Sequence, residues 1–196
     1  MRWTRDDVIA AAFATLEQEG LEGLSLRAVA RRLGAHLNSV TWYVKSKQSL
    51  VDLMADAIVG TVPTGDLPDE PIARVRLMAH RYRAALLGRR DGGRLVAGTF
   101  TGGGKTLRVA EVIVAALLAA GFPEVEAARL CWAIVYFALG LTQEQQTSPA
   151  DAAPGLAEAL EPGGFPALAK VGEQLLAHDS FDSRFGYGID RLLHLA

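Results

Sequence analysis

The sequence predicts an all-α protein of two domains. Apolar residues recur at helical spacing along its long segments, and 50% of the 196 residues are hydrophobic, which is ample for a core. Residues 60–71 hold three prolines and two glycines, a composition typical of a linker. We therefore expect a small N-terminal helical domain over residues 1–60 and a larger C-terminal helical domain over residues 61–196.

The first helix is predicted from Thr4 to Gly20. Thr4 can cap it, with the acidic Asp7 at the position that completes a capping box. Gly20 stops the helix, and residues 21–24 link it to the next one. Its apolar face consists of Val8, Ala12, Phe13 and Leu16.

Residues 25–34 predict a second helix and the turn that ends it. Ser25 can cap this helix, and Gly34 suits the left-handed conformation in which helices commonly end. The apolar positions are Leu26, Val29, Ala30 and Leu33. The basic residues left towards solvent are Arg27, Arg31 and Arg32.

Residues 38–44 predict a third helix of the kind that lies in the major groove of DNA. Val40 and Val44 are four positions apart and should face inward, and Trp42 is expected to pack as well. The polar side chains left to reach bases and phosphates are Asn38, Ser39, Thr41 and Tyr43. With the preceding helix and turn, this pattern is typical of a helix-turn-helix.

The remaining elements complete a helical bundle. A fourth helix, capped by Ser46, should connect the N-terminal unit to the rest, and Pro71 suits the first turn of a fifth. The helices after the third are predicted over residues 46–59, 71–87, 105–120, 123–146, 165–177 and 181–193. Residues 147–164 are expected to form a variable loop.

Charge supports a nucleic-acid contact at one end only. Residues 25–50 contain five basic side chains and no acidic one. Residues 1–50 carry seven basic and five acidic groups, and the remainder carries 13 basic and 17 acidic groups. The N-terminal part therefore has a net charge of +2 and the rest −4, so only the former favours phosphate.

Several other classes of site are disfavoured. The glycines at 102–104 before Lys105 do not form a nucleotide-binding loop, because the first glycine of such a loop would have to stand at Thr99. The four histidines do not pair at ligand spacing, so no metal or other cofactor is predicted. No set of residues suggests an activated nucleophile, and we expect no enzyme activity. The alternative is a helical small-molecule-binding protein or enzyme without a DNA-binding role.

The sequence also predicts a location. No signal peptide is evident, and the longest apolar run, residues 130–141, is shorter than the roughly 18 to 20 residues that a membrane span needs. The lone Cys131 lies in that run and is most simply a core residue. We therefore expect a soluble cytoplasmic protein that makes no membrane contact.

These motifs resemble the TetR family of ligand-responsive transcriptional regulators. The segments G-L-S-L-R-A-V-A-R-R-L-G (residues 23–34) and V-T-W-Y-V-K-S-K-Q-S-L (residues 40–50) are similar to the N-terminal signature of that family. The segments Y-R-A-A-L-L-G-R-R-D-G-G, A-A-G-F and F-A-L-G resemble the C-terminal domain of its tetracycline repressors. The resemblance therefore covers most of the chain.

The resemblance implies a repressor that binds a palindromic operator in double-stranded DNA as a homodimer. Residues expected to approach base edges are Arg27, Asn38 and Ser39, and residues expected to hold phosphates are Ser25, Thr41, Tyr43 and Lys47. Leu37 replaces a polar base-reading residue, so the operator should differ from that of the tetracycline repressors. The helices over residues 123–146 and 181–193 carry more apolar surface than one monomer can cover, and the family pairs them in a four-helix bundle.

The resemblance further implies an effector held in the C-terminal domain. The expected lining is Met78, Tyr82, Val96, Thr99, Phe100, Ile113, Trp132 and Tyr136. Val96, Met78 and Phe100 stand where the tetracycline repressors use polar groups, one of them a magnesium ligand, although Thr99 and Glu144 are kept. We therefore expect a small hydrophobic effector without a metal, and no release by tetracycline with magnesium.

Overall fold

The computed structural model describes residues 3–99, 102–147, 164–172 and 180–194, and all regular secondary structure in these ranges is helical. The predicted all-α fold class is confirmed. In chain order the helices are α1 (Arg5–Gly23), α2 (Leu26–Leu33), α3 (Leu37–Tyr43), α4 (Lys47–Val59), α5 (Pro71–Leu87), α6 (Gly92–Val96), α7 (Gly104–Ala119), α8 (Glu124–Thr147), α9 (Pro166–Lys170) and α10 (Phe181–His194).

The predicted caps and turns of the N-terminal helices are present. Thr4 and Asp7 form a full capping box on α1, in which the Asp7 amide donates to Thr4 Oγ1 over 3.2 Å and Asp7 Oδ2 accepts from the Thr4 amide over 2.8 Å. Ser46 and Ser49 form a second capping box on α4, whereas Ser25 caps α2 through its own side chain, which accepts from the Ala28 amide. Gly34 is left-handed, with φ 62° and ψ 29°, so α2 and α3 meet in a tight turn.

Gly20 interrupts α1 as predicted, but the helical backbone resumes after it. Its φ of 69° and ψ of 178° are not helical, and the chain then adds a further turn to Gly23 before α2 begins. Most side chains with L configuration avoid this conformation, so a glycine is suited to the position. The resulting kink places the end of α1 beside residues 89–94.

The C-terminal helices pack around α5 and α8. Helix α5 contacts α4, α6, α7, α8 and α10, and α8 contacts α6, α7 and α10. Glu70 caps α5, and its first residue is Pro71, as predicted. One continuous apolar core runs from Val8 of α1 through α4 to Leu193 of α10. The four N-terminal helices and the C-terminal helices therefore pack on the same core.

The structure contains one helix that the sequence does not predict, and it describes two predicted segments only in part. The additional helix is α6 (Gly92–Val96), and it forms because Gly92 and Gly93 allow its backbone to pack closely against α5 and α8. Of the helix expected over residues 165–177, the described part contains α9, and residues 173–179 lie outside the described ranges. Most of the predicted loop over residues 147–164 also lies outside them.

Among the described helices, α8 alone is long and apolar enough to cross a membrane by length and composition. The same properties are typical of the central helix of a helical bundle. One face of α8 is buried against the neighbouring helices, with Ala127, Leu130, Ile134, Ala138 and Thr142 as its buried positions.

Candidate nucleic-acid interface and internal cavity

The polar side chains predicted to read DNA lie on one surface formed by α2, α3 and the start of α4. Arg27, Asn38, Ser39 and Lys47 are exposed there. Val40 and Val44 are each 1% exposed and hold α3 against the core, as predicted. The surface is therefore supported from behind by apolar packing and offers polar groups in front.

The other three predicted contacts are half-buried and already hydrogen-bonded. Ser25 Oγ accepts from the Ala28 amide over 3.1 Å, which leaves its own proton available. Thr41 Oγ1 donates to the Asn38 carbonyl over 3.1 Å, and the Tyr43 hydroxyl donates to the Trp3 carbonyl. A phosphate accepts hydrogen bonds only, so Tyr43 would have to release Trp3 in order to donate to one.

Trp42 does not pack, which corrects the prediction. Its side chain is 74% exposed and contacts the ring of Tyr43 edge to face, with 4.8 Å between the ring centroids. Trp42 is two positions from both Val40 and Val44, and on a helix positions separated by two residues point to different faces. Because the two valines face the core, Trp42 faces outward on the candidate DNA surface.

The basic residues of this region divide into two groups. Arg31 forms an ion pair with Glu19 over 3.0 Å, and Arg32 donates to Thr15 Oγ1 over 3.0 Å, so both hold α2 against α1. Within the described ranges, the side chains of Arg27, Lys45 and Lys47 form no ion pair and no hydrogen bond. These three cations are available to a nucleic acid.

A cavity of about 570 Å³ lies between α4, α5, α7 and α8. This volume is within the usual range of small-molecule sites. Six of the eight residues expected to contact an effector line it, namely Tyr82, Val96, Thr99, Ile113, Trp132 and Tyr136. Phe100 lies outside the described residues.

Met78 is not part of the cavity wall, which corrects its predicted position. Its side chain is 0% exposed and belongs to the apolar core. Resemblance placed Met78 on the correct helix, but it did not establish which face of α5 borders the cavity. Glu144 does not line the cavity either, because it is exposed on α8.

The described wall of the cavity carries no charged side chain. Burial raises the pKa of the Tyr82 phenol and of the Cys131 thiol, so both groups are neutral at physiological pH. Within the described ranges, no group of three or more histidine, cysteine or acidic residues is placed to hold a metal ion. The arrangement suits a neutral and largely apolar molecule.

A direct polar contact joins α4 to the start of α7 beside the cavity. Asp56 Oδ1 accepts hydrogen bonds from the amide and the hydroxyl of Thr106, both over 2.9 Å. A Cβ atom on Gly103 would lie 2.2 Å from the same oxygen, so glycine is required there for the carboxylate to approach. Thr106 and Val59, one turn beyond Asp56, both line the cavity.

A second polar contact joins α1 to the segment that precedes α6. The Leu21 amide donates to Asp91 Oδ2 over 2.8 Å, and Arg90 donates to the carbonyls of Glu17 and Gln18. These groups satisfy backbone atoms that the kink at Gly20 leaves unpaired. The N-terminal unit is thus connected to the helices around the cavity at two separate points.

Models of protein families match both parts of the chain. Residues 8–54 match the model of bacterial regulatory proteins of the tetR family, and residues 64–194 match that of the tetracyclin repressor-like C-terminal domain. The chain belongs to the TetR family. The family predicted from the sequence motifs is confirmed.

Individual TetR-family proteins agree with this assignment. The class C tetracycline repressor of Escherichia coli is 36% identical over 151 residues, which cover 76% of this chain and 68% of the repressor. The class G repressor of Vibrio anguillarum is 32% identical over 190 residues, covering 95% and 90%. The crystal structure of a possible TetR family regulator from Streptomyces coelicolor A3(2) matches with a TM-score of 0.84 and 32% identity over 97% of both chains.

As a member of the TetR family, the chain is a ligand-responsive DNA-binding regulator rather than an enzyme. Two of its structural features were missed by the sequence analysis. Trp42 points outward because Val40 and Val44 turn the opposite face of α3 towards the core. The contact between Asp56 and Thr106 spans 50 positions and leaves no local pattern in the sequence.

Proposed function

We propose that the protein is a cytoplasmic transcriptional repressor that binds a palindromic operator as a homodimer and is released by a small, neutral, apolar effector. The observation that carries this proposal is the uncharged cavity that borders α4, the helix that follows the DNA surface. A ligand that prefers one position of α4 would shift the dimer towards a state in which its two α3 helices are a different distance apart.

The DNA contacts are proposed from exposure and charge. We assign base-edge contacts to the exposed side chains of Arg27, Asn38 and Ser39, and Trp42 adds an apolar surface that suits the methyl group of thymine or a sugar. Contacts to phosphate are assigned to Ser25, Thr41, Tyr43 and Lys47. In such a dimer, the two α3 helices would enter successive major grooves about 34–36 Å apart.

The dimer is proposed to form through the outer faces of α8 and α10. These helices pack on each other within the chain, where Phe137 stacks on Phe185 with 5.5 Å between ring centroids. A Cβ atom on Gly140 or Gly186 would meet nothing within 4 Å, so another helix could approach the pair closely. Tyr187, which is largely exposed, adds apolar area to the same region.

Replacing Gly140 by arginine is expected to convert the dimer into a monomer. The open space around Gly140 means that the new side chain disturbs no contact within the chain, whereas it would put a charge between two packed helices. Sedimentation equilibrium at micromolar concentration measures the mass. Gly65→Arg, at another open glycine in the linker, is the control and should remain dimeric. A monomeric wild-type protein would remove the dimer from the proposal.

Tetracycline with magnesium is expected not to release the protein from its operator. Val96 cannot ligate a metal, the described cavity wall has no charged group, and Glu144 lies outside that wall. A mobility-shift titration with tetracycline and magnesium up to about ten micromolar checks this. Magnesium-dependent release at low micromolar tetracycline would show that the cavity has been interpreted wrongly.

Operator selection tests the proposal as a whole. The purified dimer is incubated with a library of random duplexes, and the retained sequences are determined and footprinted. We expect a palindrome with half-sites about one helical turn apart. The selected operator then serves in a screen of neutral aromatic compounds for release. A protein that enriches no sequence would support the alternative, a helical small-molecule-binding protein without a DNA-binding role.

A further inference from the structure

The described part of the cavity wall contains a deeply buried hydroxyl that has no hydrogen-bond partner among the described residues. Tyr82 on α5 is 5% exposed and forms no hydrogen bond within the described ranges. Its oxygen is not among the side-chain atoms that the protein encloses without a partner, so it retains access to the cavity. Folding has therefore removed this donor from bulk water without giving it an acceptor.

The two threonine hydroxyls of the wall are engaged elsewhere. Thr99 Oγ1 donates to the Val96 carbonyl over 2.7 Å, and Thr106 Oγ1 donates to Asp56 over 2.9 Å. Burial raises the pKa of Tyr82, so the phenol keeps its proton throughout the physiological range. Tyr82 is thus the buried hydroxyl of the described wall that is able to donate to a ligand.

The mouth of the cavity is lined by two partly exposed aromatic rings. Trp132 and Tyr136 lie one turn apart on α8, and their rings stack with 5.4 Å between the centroids and an interplanar angle of 21°. They line the cavity but are 48% and 60% exposed. Between this aromatic pair and Tyr82 the wall is largely aliphatic, including Val109, Ile113, Val135 and Leu139. A flat, uncharged ring system fits such a space.

We propose that the effector is a neutral, planar aromatic compound with a ring carbonyl, whose oxygen accepts a hydrogen bond from the Tyr82 hydroxyl while its rings stack near Trp132 and Tyr136. This inference rests on the proposed function and adds the chemical class of the ligand. The carbonyl explains how a buried donor is satisfied, and the planar ring explains the aromatic mouth. A charged compound is disfavoured, because the described wall offers no opposite charge.

Xanthone and xanthene provide a matched pair of probes, since they differ only in the carbonyl group of the central ring. Their dissociation constants are measured by calorimetry with the wild-type protein, with Tyr82→Phe, and with Tyr187→Phe as the control, since Tyr187 is exposed and does not line the cavity. Tyr82→Phe removes one hydroxyl and keeps the ring. It is expected to weaken xanthone about five- to tenfold, the usual effect of one buried hydrogen bond, and to change xanthene less than about twofold. Tyr187→Phe removes the same kind of hydroxyl outside the cavity and should leave both dissociation constants unchanged.

The infrared carbonyl band of bound xanthone provides a second readout that does not depend on a variant. In the wild-type complex it should lie below its frequency in an apolar solvent, as expected for a hydrogen-bonded carbonyl. Equal weakening of both probes by Tyr82→Phe, or an unshifted band, would overturn the Tyr82 inference and leave the apolar effector site standing. If neither probe bound the wild-type protein up to its solubility, the proposed effector class would fail as well.

Discussion

Replacing Arg27 by alanine is expected to weaken operator binding about ten- to one-hundredfold and to relax the preference at one base pair. Arg27 is exposed on α2 and has no ion pair across the described ranges, so its guanidinium is available for bidentate contact with a guanine. Fluorescence anisotropy with the selected operator and its single-base variants measures both effects.

Two further variants make the Arg27 result specific. Lys47→Ala should weaken binding to every duplex alike and reduce the salt slope by about one, because a phosphate contact carries no sequence information. Arg31→Ala is the matched control, since this exposed arginine pairs with Glu19 and should contribute little to binding DNA. Unchanged DNA binding in both Arg27→Ala and Lys47→Ala would contradict the assignment of the DNA surface.

Replacing Asp56 by alanine is expected to remove most of the effector response while DNA binding persists. The change deletes the acceptor of two hydrogen bonds from Thr106, so that only apolar packing still joins α4 to the start of α7. Coupling between two sites is typically worth about 1–3 kcal/mol, a factor of about five to 150 in affinity. The ratio of operator affinities with and without effector should therefore fall from this range towards one.

Asp52→Ala is the control for Asp56→Ala. Asp52 lies one turn earlier on α4 and accepts a hydrogen bond from Gln48 of the same helix over 2.8 Å, so it does not join α4 to the cavity wall. Its loss should leave the effector response intact. A full effector response in Asp56→Ala would show that the signal travels by another route, such as the contact between Asp91 and Leu21.

Local chemistry made most of the fold predictable. Thr4, Ser25 and Ser46 act through atoms three residues away, and Gly34 acts through its own backbone, so each can be recognised in a short stretch of sequence. The long helices follow from apolar spacing in the same way. For α5, the start at Pro71 and the end near residue 87 are both marked by local signals.

The predictions that failed depend on orientation. The sequence predicts that Trp42 packs, but a helix of seven residues has little inward surface, and Val40 and Val44 occupy it. Met78 was assigned to the cavity by resemblance, whereas α5 buries residues on several sides and only Tyr82 among them lines the cavity. Neither outcome is determined by the composition of the element itself.

Contacts between distant segments could not be predicted. Asp56 and Thr106 come together only because α4 and α7 pack side by side, and the glycine at 103 acquires its meaning from that contact. In the sequence alone, glycines 102–104 indicate a flexible turn. The absence of a partner for the Tyr82 hydroxyl is likewise a property of the assembled wall rather than of any motif.

A molecule in the cavity and an operator on α3 should each weaken the binding of the other, and thermodynamic linkage tests this coupling directly. The dissociation constant of an effector found in the release screen is measured for the free dimer and for the dimer saturated with its operator. Linkage requires the operator to weaken effector binding by the same factor by which the effector weakens operator binding. We predict equal factors of about five or more. The same effector affinity with and without operator would contradict the account.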